Sequence, residues 1–317
     1  MSRLTSIRRL NDHIAELEVM LDDASRTGDV MSELAFEEML EQAREDLQNA
    51  EGLPSTKADA VILFEGSPVI GREAIDAAFA GAMLQSFQHA INIVSAASLG
   101  QTVGERGPVP ANVNHPLYIT DLAYGSFGFV LEEEISSQRE AFPTSEKAAV
   151  DQVLDLLFTA SDTESKFSHM IENVDKRTFA ALKGIYERLE KAHARMKAFV
   201  ADQDIYLDDR RVAVACDRLT RSSVEEEFLV FSATLMGLST SKRIVDLRRD
   251  DTDEFITGKA GAKLSQDYLE RIEREGVTLG SVFLVDALFK VVHRPDGSES
   301  RTVIVRDLSP IDGAVTD

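Results

Sequence analysis

Apolar residues recur at alternating steps of three and four through Phe179, Leu182, Tyr186, Leu189, His193, Met196 and Val200. This spacing lines one stripe of a helix and predicts a single helix over 176–200, with Tyr186 and His193 as imperfect members of the stripe. Strand-like segments lie on either side, so the pattern predicts a helical strut between two β-containing modules. Near the N-terminus, Ile7, Leu10, Ile14, Leu17 and Leu21 repeat at heptad spacing over 3–24. Arg26-Thr27-Gly28-Asp29 supplies a turn, with Gly28 placed for a helix C-cap. A second helix follows to about Asn49, carrying Leu34, Met39, Leu40, Ala43 and Leu47. The expectation for 1–50 is an antiparallel helical hairpin. Each apolar stripe must meet another apolar surface, so the hairpin docks on the rest of the chain or joins a second copy through 3–49.

Residues 51–142 read as a small α+β module. Ala60-Val61-Ile62-Leu63-Phe64 is a buried strand closed by the turn Glu65-Gly66-Ser67-Pro68, and a long helix runs over about 72–99. The Gly- and Pro-rich stretch 100–114 reads as a loop, and two strands follow around 117–120 and 128–132. Residues 143–222 form the helical strut region, with a short helix or strand around Ile205–Leu219.

The last segment, 223–317, predicts strands at 227–238, 242–248 and 254–258, a helix at about 264–275, and strands at 282–293 and 302–308 joined by Arg294-Pro295-Asp296-Gly297. Three strands, a helix and a two-strand hairpin form the element order of a five-stranded OB-like barrel. An SH3-like barrel and an open antiparallel sheet fit the same order. The fold class expected is therefore α+β, with four parts: hairpin, module, strut and barrel.

Composition narrows the function classes. Hydrophobic residues make up 44% and charged residues 28%, as in a folded globular protein. No apolar run reaches the roughly 20 residues of a membrane span. The N-terminus enters a charged amphipathic helix without the apolar stretch of a signal peptide, and one cysteine, Cys216, excludes an intramolecular disulfide; both read as cytoplasmic. The net charge of −21 opposes nonspecific binding to phosphate backbones.

Candidate chemistry is sparse. No cofactor motif and no metal-ligand spacing stands out. Lys242, Arg243, Arg248 and Arg249 lie on or beside the second barrel strand, and Phe255 is the one aromatic on the second and third strands. In an OB barrel these strands face the ligand, so the group is a candidate oligonucleotide site. Asp246, Asp250, Asp251, Asp253 and Glu254 surround the basics, which favours surface ion pairing. His115, Asp121 and Glu132 near 100–134 are candidates for acid–base chemistry, although Glu132-Glu133-Glu134 reads more simply as a solvated strand end. Tyr124-Gly125-Ser126-Phe127-Gly128 reads as a tight hairpin turn, His193 as a packed core histidine and Cys216 as a core thiol. The expected class is a non-enzymatic interaction protein that recognises a protein partner, self included, through the hairpin and barrel. An oligonucleotide-binding module and an enzyme with a site near 100–134 are the alternatives.

Overall fold

The computed structural model describes residues 3–51, 56–98, 116–123, 127–133, 142–200, 203–261, 264 and 280–311. Within them the chain is mixed α and β, with an antiparallel sheet, a closed five-stranded barrel and helices α1 to α7.

Helices α1 (Arg3–Thr27) and α2 (Val30–Glu51) pack on each other through Leu17, Leu40 and Ala43, with Ile14, Leu21 and Phe36 against them. The turn between them needs the left-handed conformation at Gly28 (φ +73°), where a side chain would be strained. Asp29 then starts α2, accepting from the Ser32 amide and hydroxyl at 3.2 and 2.7 Å. Arg44 and Glu18 pair across the two helices at 2.8 Å.

The sheet is built around β1 (Asp59–Gly66). Its other strands are β4 (Tyr118–Ala123), β5 (Phe127–Glu132), β6 (Ala194–Val200) and β7 (Gln203–Leu207), in the order β4-β5-β1-β6-β7, with every pair antiparallel. A two-residue pair, β2 (Val69–Ile70) and β3 (Ala74–Ile75), follows β1. On one face Ala60, Ile62, Phe64, Leu131, Met196 and Ala198 meet the helices. These are α3 (Ala77–Ser98), α4 (Ser145–Ala160), α5 (Glu164–Asn173), α6 (Lys176–Lys191) and α7 (Asp209–Thr220). On the other face Val61, Leu63, Ala123 and Val130 form a smaller cluster, and α1 comes against β1. Both faces of β1 are covered, which explains its continuous apolar run. Strands from 51–142 and from 143–222 thus share one sheet.

The helix expected over 176–200 ends at Lys191. Its first half is helical: Asp175 caps it through the Arg177 and Thr178 amides at 2.8 and 2.9 Å, and Phe179, Leu182, Tyr186 and Leu189 are buried. From Ala194 the period changes to two, with Ala194, Met196, Ala198 and Val200 inward, and the segment pairs with β1. Met196 and Val200 continue the three–four spacing only by coincidence, because inward strand positions overlap it there. The helix is a core element packed between α3 and α7 and does not stand as a strut. His193 is an exposed turn residue at φ +48°, not a packed one. Its carbonyl lies so close to Gly66 (φ +103°) that a Cβ there would approach it to 2.2 Å.

Where a short helix or strand is expected around Ile205–Leu219, the chain forms one of each, β7 and then α7, with Cys216 buried in α7. Burial, with Glu190 adding to it, pushes this thiol up to about 11.

Strands β8 (Ser223–Ser239), β9 (Ile244–Arg249), β10 (Phe255–Ala260), β11 (Val282–His293) and β12 (Glu299–Pro310) close the barrel in the order β10-β12-β11-β8-β9. Only the β10–β12 pairing is parallel. Phe231, Leu235, Val245, Leu247, Phe283 and Val285 are among the side chains that fill it. The helix expected at 264–275 lies outside the described residues except for Leu264, which is buried in the barrel core. No described helix is long and apolar enough to cross a membrane.

Tyr186 ties the helical layer together, since its fully buried hydroxyl donates to the Leu157 carbonyl at the end of α4. Burial holds that phenol far above its ordinary pKa, so it remains a donor. Tyr186→Phe is expected to cost about 1–2 kcal/mol by orphaning this carbonyl. The check is urea unfolding: the midpoint falls while the slope is unchanged.

Candidate functional site

The basic residues on and just before β9 do not form a free cationic surface. Arg243 occupies the left-handed region (φ +54°), and its guanidinium donates to the carbonyls of Gly261 and Leu264 at 3.0 and 2.7 Å, pinning the chain where β10 ends. Arg249 makes a two-pronged pair with Asp251 at 2.9 and 2.7 Å and lies 4.8 Å above the Phe231 ring. Arg248 is 3.6 Å from Asp253 and stands opposite Phe255 in the β9–β10 register. Phe255 is 68% exposed, and Lys242 is exposed at the turn before β9. Two of the four basics therefore serve the barrel's own structure. Lys242, Arg248 and Phe255 remain as an outward group.

His115 lies outside the described residues. Asp121 stands opposite Val130, and Glu132 opposite Tyr118, in adjacent strands. Glu132 is buried, contrary to a solvated strand end, and it faces Asp59, also buried, in the β1–β5 register. Both residues take part in polar or electrostatic contacts. Glu133 accepts from the Ala58 amide at 2.9 Å and the Thr144 hydroxyl at 2.6 Å, fastening the start of α4 to β1. Asp59 was hidden in the sequence because it sits at the mouth of an apolar run. The turn at Tyr124–Ser126 is outside the described residues, and no group of three metal-ligating side chains occurs among those described.

Among the described residues, exposed apolar side chains gather on the edge strand β4 (Tyr118, Ile119, Leu122), on the barrel wall and near the Gly28 turn. On the barrel wall, Phe228, Val230 and Leu284 are exposed on neighbouring strands, Val230 facing Asp286 and Leu284 facing Ser232 in register. Arg306 covers part of Phe228, 4.9 Å from its ring, and pairs with Asp286 at 3.7 Å. At the Gly28 end of the α1–α2 pair, Val19, Met20, Val30, Met31, Leu34 and Met39 are all exposed, Val19 by 70% and Met31 by 79%. At 1.5 Å per residue they lie within about 17 Å of the turn along the helices. Val19, Met20 and Phe36 line a groove there of about 540 Å³.

The barrel is fixed to the helical body by a buried charge cluster that the pattern of the sequence does not reveal. Lys290 on β11 is 5% exposed, and its ammonium donates to the carbonyls of Glu172 and Val174 at 2.6 and 2.5 Å, where α5 ends. Burial holds its pKa below the ordinary lysine value, against the pull of Glu226, Asp175 and Glu172. Arg294 pairs with Glu172, and Arg221 donates to the Pro295 carbonyl at 2.7 Å. The available signal was Val224 and Val291-Val292, apolar positions on strand ends that imply cover on the barrel's outside; Val224 and Val292 do enter the helical core.

Glu226, opposite Lys290 in the register, is held above the ordinary carboxylate range, first by burial and then by the neighbouring Asp175. A raised carboxyl contributes stability that is complete below its unfolded value and is lost as pH rises through the folded one. Glu226→Gln removes that loss while keeping an oxygen for the Lys176 amide. The variant is expected to melt above the parent at pH 7, with the gap closing toward pH 4. A gap that is constant across this range would contradict the assignment.

No family model, curated protein or solved structure matches this chain, so its functional reading rests on the geometry just described.

Proposed function

We propose that this chain is a non-enzymatic interaction protein, in which an N-terminal helical hairpin and an OB-like barrel present recognition surfaces to a protein partner. The observation that carries this reading is the crowd of exposed Val, Leu and Met side chains around the Gly28 turn, backed by Phe228, Val230 and Leu284 on the barrel. Scattered apolar residues are ordinary on a surface, but six exposed on two paired helices close to one turn favour a place that another molecule covers. The test is a photo-crosslinking residue at Met31 or Val230, with exposed Glu45 as control, in cells that make the protein. A discrete heavier adduct containing another protein is expected at Met31, Val230 or both and not at Glu45; blank results at both positions sink the reading.

A second reading is favoured by one observation, the barrel's strand order. Successive strands pair first with second, second with third, third with fifth in parallel, and fourth with both fifth and first. That order supports an OB-like barrel, in which the second and third strands bind oligonucleotides. Lys242, Arg248 and Phe255 are the residues on that wall able to meet a phosphate and a base. Under this reading a labelled 12-residue single strand binds at low salt, and Lys242→Glu with Arg248→Glu and Phe255→Ala weakens it at least about tenfold. Unaltered affinity in the triple variant eliminates it. Arg243 is left intact because its change would disturb the barrel itself.

A further inference from the structure

We propose that the groove between α1 and α2 beside the Gly28 turn receives the apolar anchors of a basic, amphipathic helical segment of the partner. This rests on the recognition role above and names the chemistry of what is recognised. The groove lies beside the seam closed by Leu17, Leu40 and Ala43, lined by Val19 and Met20 from one helix and Phe36 from the other. Two antiparallel helices leave a channel whose natural complement is a third helix carrying apolar side chains at steps of three and four. Met20 suits this role, since an unbranched thioether adapts to differently shaped anchors.

Charge decides the occupant. Asp22, Asp23 and Asp29 line the groove against one base, Arg26. Arg26 is committed to Asp23 at 2.6 Å, whereas Asp22 is exposed. Ser32 holds Asp29 in its charged form by donating to both carboxylate oxygens, which keeps its pKa below the usual range. Across residues 1–50 there are 12 acids and 5 bases. A second copy docking here would set this excess against itself, within the ~8 Å over which exposed charges interact at physiological salt. A lysine- or arginine-bearing helix gains from the same field.

The experiment titrates the full chain into a labelled 14-residue peptide with leucines at helical spacing and lysines elsewhere, in parallel with the peptide carrying glutamates in place of lysines, at about 0.15 M salt. The Leu/Lys peptide is expected to bind and the Leu/Glu peptide to fail. Val19→Ser with Met20→Ser, and separately Asp22→Asn with Asp23→Asn, are expected to weaken binding about tenfold. Glu225→Gln with Glu227→Gln on the barrel makes the same charge change elsewhere and leaves affinity intact. All of these side chains are exposed, and circular dichroism melting checks that each variant folds. The proposal is overturned if the barrel pair weakens binding as much as the helix pair, since attraction to the acidic surface as a whole then suffices. It is also overturned if the Leu/Glu peptide binds equally, or if light scattering finds a dimer that Val19→Ser with Met20→Ser dissociates. A crosslinked partner together with loss of peptide selectivity leaves the recognition role standing and removes only this assignment. Blank crosslinking at Met31 and Val230 removes both.

Discussion

The architecture hinges on one ammonium group taken out of water. Lys290 leaves the barrel wall and ends on two carbonyls at the C-terminus of α5, where a helix has unsatisfied acceptors and the negative end of its dipole. The next residue after those carbonyls, Asp175, begins α6. Within four residues the chain therefore ends one helix, receives the barrel and starts the helix that carries the core's largest buried side chain, Tyr186. A buried cation is tolerated only with such partners, and Glu226, Asp175 and Glu172 surround it. The barrel's attachment is thus specific in angle as well as in place.

That attachment gives the exposed surfaces a definite setting. The barrel wall bearing Phe228 and Val230 belongs to the same two strands, β8 and β11, whose other ends dock on α5 and α6. One end of this strand pair is consumed by the body and the other faces outward. At the far side of the chain, α1 and α2 bury only a narrow seam of their own, which leaves Met and Val side chains uncovered near the turn. The acidic excess of 1–50 sets a like-charge repulsion against a second copy approaching this surface.

Much of the fold is legible in the residues. The α1–α2 turn is written in Gly28 and Asp29, and the five barrel strands are separated by real turn signals such as Pro295-Asp296-Gly297. The misreading at 176–200 has a physical cause: a helix stripe and the inward side of a strand share positions wherever their periods coincide, and Met196 and Val200 fall there. No Gly or Pro marks the change; Ala192 and His193 make the turn instead. The candidate residues illustrate a second difficulty. Charge type is visible in a sequence, but whether Arg243 meets solvent or three backbone carbonyls depends on where β10 ends. Lys290 was invisible for the converse reason, because its partners are main-chain groups more than a hundred residues away.

The position of β1 at the middle of its sheet carries a consequence for how the molecule is made. Its neighbour β6 arrives late in synthesis, and the Glu65–Lys197 pair that spans them is separated by 132 residues. On the ribosome, β1 emerges with a continuous apolar run and waits for its second partner until α6 and β6 have been translated. The barrel also closes over long range, since β8 and β11 pair residues 48 to 70 apart. The β1–β6 pairing closes the longer loop, at a loop-closure cost only slightly above that of the barrel. Until β6 has been made, one edge of β1 is without its ladder partner, an apolar edge open to wrong pairing.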